Sequence, residues 1–527
     1  MNLDFSQCRL VPVRSPEGEL SMSGVKAHAK IGVGALIENP FFFLADEMGG
    51  MKTAQTIITA QFLYQMNIID KVLVIAPASV RSSVWFDKEL GELGTHLWFD
   101  TKSAVYEYHA KMKMWKWGEF ETSEKHLQWM ISNYEFIRSE QRLVDLLPYC
   151  TPRTLMICDE SSAIKNHKSK QFKACFKLRK KCGRIILLNG TPIANSPLDM
   201  FAQGNILDTK ILDTKSYFVF RARYAIMGGF LNKEVKAYQN LEDLQNRFKP
   251  YILRRLKRDC LDLPPALPPV TLTVNLTEET WKLYKQMRDD MVTWLSDSSV
   301  ATASQAIVKS MRLAQLTAGF LGGVEEIPEG IDLDEGVERP APVLRLEEIG
   351  REKLDFLIDW HKERLVEDPD MKLLVWFRFI PELSRFLKEY KTKFPKHILG
   401  NCSGRALLGG TQKEEREAVM RLLNPRTAPS GPVTVGGTYG TGSLGHNFTA
   451  CHTMFNASSD YSYWKATQAA ARIDRPGQVH STSYFDLVAV GPKGQKTIDH
   501  VIVKARRGKE EVANWTTSAW IKALTEE

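Results

Sequence analysis

Only eight cysteines occur in 527 residues. The closest pair, Cys175 and Cys182, stands too far apart for a zinc knuckle, whose ligands are roughly two to four residues apart. They are expected to be buried free thiols. No apolar run approaches the roughly 20 residues that a membrane span needs. The opening "MNLDFSQCRL" lacks the charged-then-apolar layout of a secretion signal, so the cytosol is the expected location. There is no tandem repeat and no long low-complexity tract. Charge of one sign is scarcely in excess: the net value of +8, with a pI near 8.9, is compatible with a polyanionic partner without requiring one.

What is present is a large apolar fraction, 43%, on a chain longer than one hydrophobic core usually serves, which implies two or more domains. Strand-like runs recur between stretches of helical spacing: "KVLVIAP" (71–77), "TLMICDE" (154–160) and "GRIILLNGTP" (183–192). That alternation predicts a parallel sheet covered on both faces, with functional residues at the carboxyl ends of the strands. From about Leu198 to Met311 helical patterns dominate, interrupted by the proline-rich "LDLPPALPP" (261–269), which reads as a linker. A second alternating region follows: "KLLVWFRF" (372–379), "PVTVGGTYGTG" (432–442), "HTMFNASS" (452–459) and "TSYFDLVA" (482–489). The acidic, Gly- and Pro-rich 322–342 reads as an exposed excursion.

Four segments carry chemistry. "FFFLADEMGGMKTAQTI" (41–57) is an apolar strand, a glycine turn, Lys-Thr and a helix. In that layout backbone amides and a helix N-terminus surround a phosphate, with Gly49, Gly50, Met51 and Lys52 at the phosphates and Thr53 on magnesium. "LMICDESS" ends a strand in Asp159-Glu160; the Asp can hold a magnesium-bound water and the Glu can orient and deprotonate an attacking one. In "QAAARIDRPGQ" (468–478), Arg472 and Arg475 lie three apart, expected on one helical face, and suit a spread phosphoryl charge. "GTYGTGSLGHNFT" (437–449) follows a strand and can offer several amides to phosphates. Of the remaining segments, "KMKMWKWGEF" (111–120) reads as surface strand with core tryptophans. "KLRKKCGR" (177–184) and "KARRGKEE" (504–511) read equally as phosphate contacts or as solvated helix ends.

In this order, the segments resemble the motif series of superfamily-two helicases, specifically the Snf-type (switch/sucrose-non-fermenting) DNA translocases. "LADEMGGMKTAQ" is similar to motif I, "VLVIAPASVRSSVWFDKEL" to Ia, "ISNYE" to Ib, "CDESSAIKN" to II and "LLNGTPIANSPLDMF" to III. "YILRRLKRDCLDLPP" resembles the signature before the second lobe, "LLVWFRF" motif IV, "YGTGSLGHNFTAC" motif V and "QAAARIDRPGQ" motif VI. The resemblance implies an α/β fold of two RecA-like parallel-sheet lobes with helical insertions. Residues 1–200 would form the ATP-binding first lobe and 201–260 its helical extension; 261–345 would be linker, helical insertion and acidic excursion, and 346–527 the second lobe.

It further implies ATP and Mg as cofactors, double-stranded DNA as partner, a monomer, and little beyond the motor, as in the compact forms of phages and bacteria. Carried over by position, Lys52, Asp159, Glu160, Arg472 and Arg475 are catalytic, and Gly442 and Gln468 close around nucleotide. Gly190 and Thr191 couple hydrolysis to DNA grip; Ser79, Asn133 and Thr441 hold DNA phosphates. Three positions depart from the family pattern: Met51 replaces a glycine, Ser162 a histidine, and Ala29, in "KAHAKIGVGAL" (26–36), a base-reading glutamine. They leave open a catalytically silent DNA-binding module; a fork- or junction-remodelling or strand-separating helicase is the other alternative. Because phosphoryl transfer rests on charges and all of those remain, an active ATPase is expected.

Overall fold

The structure, a computed structural model, describes residues 3–5, 11–14, 20–23, 25–78, 81–86, 91–97, 103–108, 126–190, 196–228, 234–261, 263–297, 303–322, 346–403, 405–439 and 447–508. Two compact units divide the chain: Met1–Leu263 together with Arg475–Gly477 fall in the first, and Pro264–Asp474 and the stretch from Gln478 in the second.

The first unit is built on seven parallel strands: β1 (Phe41–Leu44), β2 (Lys71–Ala76), β3 (Ser103–Glu107), β4 (Leu127–Asn133), β5 (Thr154–Cys158), β6 (Arg184–Leu188) and β7 (Ile252–Leu253). Their order is β7-β1-β6-β5-β2-β4-β3. The central strands are continuous apolar runs because helices cover both faces of a parallel sheet; every residue of β4 and β5 is buried. Three helices matter for the site: α1 (Ala27–Glu38), α2 (Lys52–Gln65) and α3 (Met200–Leu207). The short β7, inside the segment expected as a helical extension, pairs with Phe43 and Leu44 of β1.

The second unit carries six parallel strands: β8 (Val270–Asn275), β9 (Lys372–Phe377), β10 (Ile398–Asn401), β11 (Val433–Thr438), β12 (Thr453–Asn456) and β13 (Ser483–Val490). The order is β8-β13-β12-β9-β11-β10. Helices α4 (Glu352–Glu367), α5 (Ile380–Lys393) and α6 (Tyr463–Ala470) belong to it. Thus both halves are α/β with parallel sheets, as the sequence predicts. One boundary differs: β8 lies in 261–345, expected as linker and insertion, yet it adds an edge strand along the full length of β13 from Phe485. Its residues are half-buried to exposed and half of them polar, so no apolar run announces it.

All seven described cysteines are free, and all but Cys260 are buried. Among the described residues no helix is long and apolar enough to cross a membrane. The 111–120 segment and most of the acidic excursion lie outside the described residues.

Candidate nucleotide site

Between β1 and α2 the chain turns through Ala45–Met51. Gly49 takes φ +88°, a conformation open to glycine at no steric cost. Met51, the N-cap of α2, is left-handed as well, at φ 59° and ψ 28°. A glycine would take this backbone freely, whereas the methionine adopts it against about 1–2 kcal/mol of steric cost. Lys52 opens α2, and its ammonium turns back to donate to the carbonyls of Asp46 (2.7 Å) and Glu47 (3.1 Å). Burial pulls the Lys52 pKa down, against the opposing pull of Glu160, Asp46 and Asp159.

Asp159 follows the carboxyl end of β5 and is buried. Its Oδ2 accepts the indole N–H of Trp85 at 2.8 Å and its Oδ1 the amide of Glu160 at 2.9 Å. Tyr134 donates to its carbonyl at 2.7 Å. Burial raises the Asp159 pKa, while the Trp85 bond and the Lys52 charge lower it. Glu160 is left-handed, at φ 47°. Strain of this kind persists where surrounding bonds over-determine the backbone, and such positions cluster at functional sites. The hydroxyl of Thr53 and two carboxylates are hard oxygen donors and the Lys52 ammonium is a counter-charge for phosphate, so the chemistry fits a magnesium-bound triphosphate.

Around the loop lies a network that the sequence reading did not assign. Arg255 donates through Nε to Asp46 Oδ1 (2.9 Å) and through Nη2 to Asp46 Oδ2 and to Gln55 Oε1 (3.1 Å). Its Nη1 reaches the carbonyl of His28 on α1. Gln55 in turn donates to Asp46 Oδ2 (3.1 Å) and the Gly50 carbonyl (2.8 Å). Arg254 donates to the carbonyls of Ala45 (3.2 Å) and Gly190 (3.1 Å). Backbone bonds from Ala45 to Leu253 and from Glu47 to Arg255 continue the β7–β1 pairing into the loop. The "LRRLK" string was the available signal; its contacts were not, because its partners lie from 64 to 227 residues away.

Gly190, expected to couple hydrolysis to DNA grip, packs directly on this loop: a Cβ there would stand 2.5 Å from Met48 Cγ. Ala29 is buried in α1. Burial and the Arg255 charge lower the His28 pKa.

The expected helical face for Arg472 and Arg475 is corrected: α6 ends at Ala470, and both arginines lie in the turns that follow. Pro476 disfavours helix at the residue before it, and Gly477, at φ +100°, turns the chain away. Arg472 is buried and donates through Nε to the Gln468 carbonyl at 3.1 Å, whereas Arg475 is half-buried. Gln468 is fully buried on α6. Gln478 fastens the turn, donating to the Cys451 and Ile473 carbonyls at 2.9 Å each.

Tyr439, just ahead of the glycine-rich loop, donates to Asn456 (2.6 Å), which donates to Asp486 (2.8 Å), which pairs with Arg506. Arg506 of the basic 504–511 segment is thereby buried structure. Similarly, in 177–184, Arg179 donates to the terminal carbonyls of α3 (2.9 and 3.1 Å) and Arg184 to those of α1. Cations at helix C-termini satisfy orphan carbonyls and the helix dipole.

Asn133 closes β4 buried, its side-chain oxygen accepting the Phe136 amide at 2.6 Å. Ser79, Thr191, Thr441 and Gly442 lie outside the described residues.

The two parallel α/β units and the Lys52–Asp159–Glu160 grouping define a helicase-like nucleotide-binding class. The profile of the SNF2-related domain matches residues 39–318, over half of the chain, and the chain belongs to this family. It is 24% identical to the transcription regulatory protein SNF2 of Saccharomyces cerevisiae, over 89% of this chain and 26% of that protein. It is 25% identical to the "Probable ATP-dependent DNA helicase CHR12" of Arabidopsis thaliana, over 88% of this chain and 39% of that one. The chain thus spans well under half the length of these relatives. The solved Sulfolobus solfataricus SWI2/SNF2 ATPase core in complex with dsDNA aligns over 96% of this chain and 98% of that one, at 21% identity and a TM-score of 0.40. At that score the overlay adds nothing to the family assignment.

Proposed function

We propose that this chain is an ATP-dependent double-stranded DNA translocase, a DNA-stimulated ATPase. The observation that carries the reading is the placement of Lys52 at the head of α2, after β1, with Asp159 and Glu160 at the carboxyl end of β5 in the same parallel sheet. Lys52 holds the terminal phosphates, Thr53 and Asp159 take the metal, and Glu160 orients the attacking water and receives its proton. Magnesium held by Thr53 and Asp159 would supply positive charge against the phosphate oxygens. Arg475 supplies guanidinium charge, with Arg472 fixing its turn, and Gln468 and Gly442 help enclose the nucleotide. Gly190 and Thr191 relay the state of the phosphate loop. Ser79, Thr441 and the turn at Asn133 hold DNA phosphates. The motif order and a relative named as a DNA helicase support DNA as the track.

ATP turnover with and without duplex DNA tests this reading. Lys52→Ala, Glu160→Gln and Arg475→Ala are each expected to abolish stimulated turnover, since an arginine finger alone contributes about 10³–10⁵ in rate. Unchanged turnover in any one refutes that residue's role, and an inactive wild type refutes the motor. Duplex should stimulate more than fork, single strand or RNA. Duplex binding should weaken steeply with salt, and a flat salt profile would exclude phosphate-based grip.

A further inference from the structure

The guanidinium of Arg255 sits outside every role assigned above, yet it engages three separate parts of the first unit. Its fork grips both oxygens of Asp46, whose residue is 1% exposed; it also holds the Gln55 amide oxygen and the last carbonyl ahead of Ala29 on α1. Gln55 passes this grip to the Gly50 carbonyl, one residue before the left-handed Met51. The fit is close on the α1 side: a Cβ on Gly32 would stand 1.7 Å from Gln55 Oε1 and 2.9 Å from Arg255 Nη2. A lysine cannot replace this arrangement, because an ammonium lacks the planar fork that matches a carboxylate. Arg255 also lies on the stretch that continues β7 towards the end of the first unit.

We infer that Arg255 is a positioning residue for the nucleotide site: through Asp46 and Gln55 it holds the phosphate loop in its left-handed turn. Nucleotide binding and the conformation of the 252–257 segment are thereby linked. This inference rests on the nucleotide-site reading for its functional consequence, but the clamp itself is testable without nucleotide.

Amide hydrogen exchange over residues 45–55, in the full chain without nucleotide, is compared for wild type, Arg255→Gln, Arg255→Lys and Asp46→Asn. Loss of the clamp is expected to speed exchange in this loop while strands β2, β4 and β5 stay protected. Unchanged loop exchange in a folded Arg255→Gln protein overturns the inference, and so does equal loss of protection throughout the sheet. ATP titrations follow. Arg255→Gln should raise Kd and KM by roughly ten- to a hundredfold, the span for losing hydrogen bonds to a charged group, with kcat falling far less. Arg255→Lys should recover little. The double variant with Asp46→Asn should lose no more than the worse single variant, because both remove one interaction. Additive losses, a change confined to kcat, or full rescue by lysine would overturn it. A wild type that binds no ATP would refute the nucleotide reading instead, and the exchange data would still judge the clamp.

Discussion

Met51 offers the sharpest test of the loop geometry, because replacing it by glycine and by alanine should give opposite orders to the same pair of residues elsewhere. Both substitutions remove the same side chain beyond Cβ. Alanine keeps the left-handed penalty at φ 59°, about 1–2 kcal/mol, whereas glycine avoids it but loses about 0.5–1 kcal/mol more in chain entropy. Met51→Gly should therefore be more stable than Met51→Ala by about 0.5–1 kcal/mol, or roughly 1–4 °C in the melting of a unit this size. Gly34, in the interior of α1, is the reverse case: its φ is ordinary and nothing lies within 4 Å of an added Cβ. Gly34→Ala should stabilise by about 0.5–1 kcal/mol. Thermal melts followed by far-ultraviolet circular dichroism read both pairs. If Met51→Ala melts with or above Met51→Gly, the left-handed turn is not present in solution. Nucleotide affinity of Met51→Gly should match or exceed that of wild type.

Other outcomes follow from the same geometry. Trp85→Phe removes the indole donor to Asp159, so stimulated turnover should fall and the acid limb of the pH–rate profile should move to higher pH; an unmoved limb would mean that this bond does not tune the carboxylate. Gly190→Ala forces a Cβ to within 2.5 Å of Met48 Cγ and 3.1 Å of its amide nitrogen, so the loop must shift at a cost of about 1–3 kcal/mol; ATP titration should show weakened binding, and unchanged affinity would deny the contact.

His361, fully buried among the rings of Tyr390, Phe394 and His397, has its pKa lowered to about 3 by burial and by repulsion from His397. The unfolded chain takes up a proton near the ordinary histidine value of 6.5, so this stability is fully present above that pH and is lost as pH falls towards 3. The loss is about 1.4 kcal/mol per pH unit, or about 2 kcal/mol at pH 5. Between neutral and mildly acid pH wild type should lose stability relative to His361→Phe by this amount, and a melting difference that does not change with pH would refute the assignment.

Local signals carried the strands and the charged groups. The apolar runs at 71–76, 154–158 and 184–188 are continuous because both sheet faces are covered, and a run of that kind is visible from sequence alone. The Lys-Thr after a glycine turn and the Asp-Glu after a strand are likewise short-range patterns. The sequence could not show that Met51 is left-handed, because its φ is set by the closure of the β1–α2 turn. Nor could the "RID" spacing show that α6 stops at Ala470, although Pro476-Gly477 was a warning. β8 escaped notice for a different reason: at a half-exposed sheet edge alternate residues need not be apolar.

By itself, then, the sequence determined two parallel α/β halves, the family, and the residue types able to meet a triphosphate. These follow from hydrophobic period and from chemistry confined to a few neighbouring positions. Only the tertiary structure decided which cations are structural and which stand at the phosphate loop. Arg179 and Arg184 close helix ends, Arg506 is paired inside the second unit, and Arg255 grips Asp46. An arginine's role is fixed by the partner its guanidinium reaches, and here the partners lie from about 20 to more than 200 residues away along the chain, where no local pattern extends.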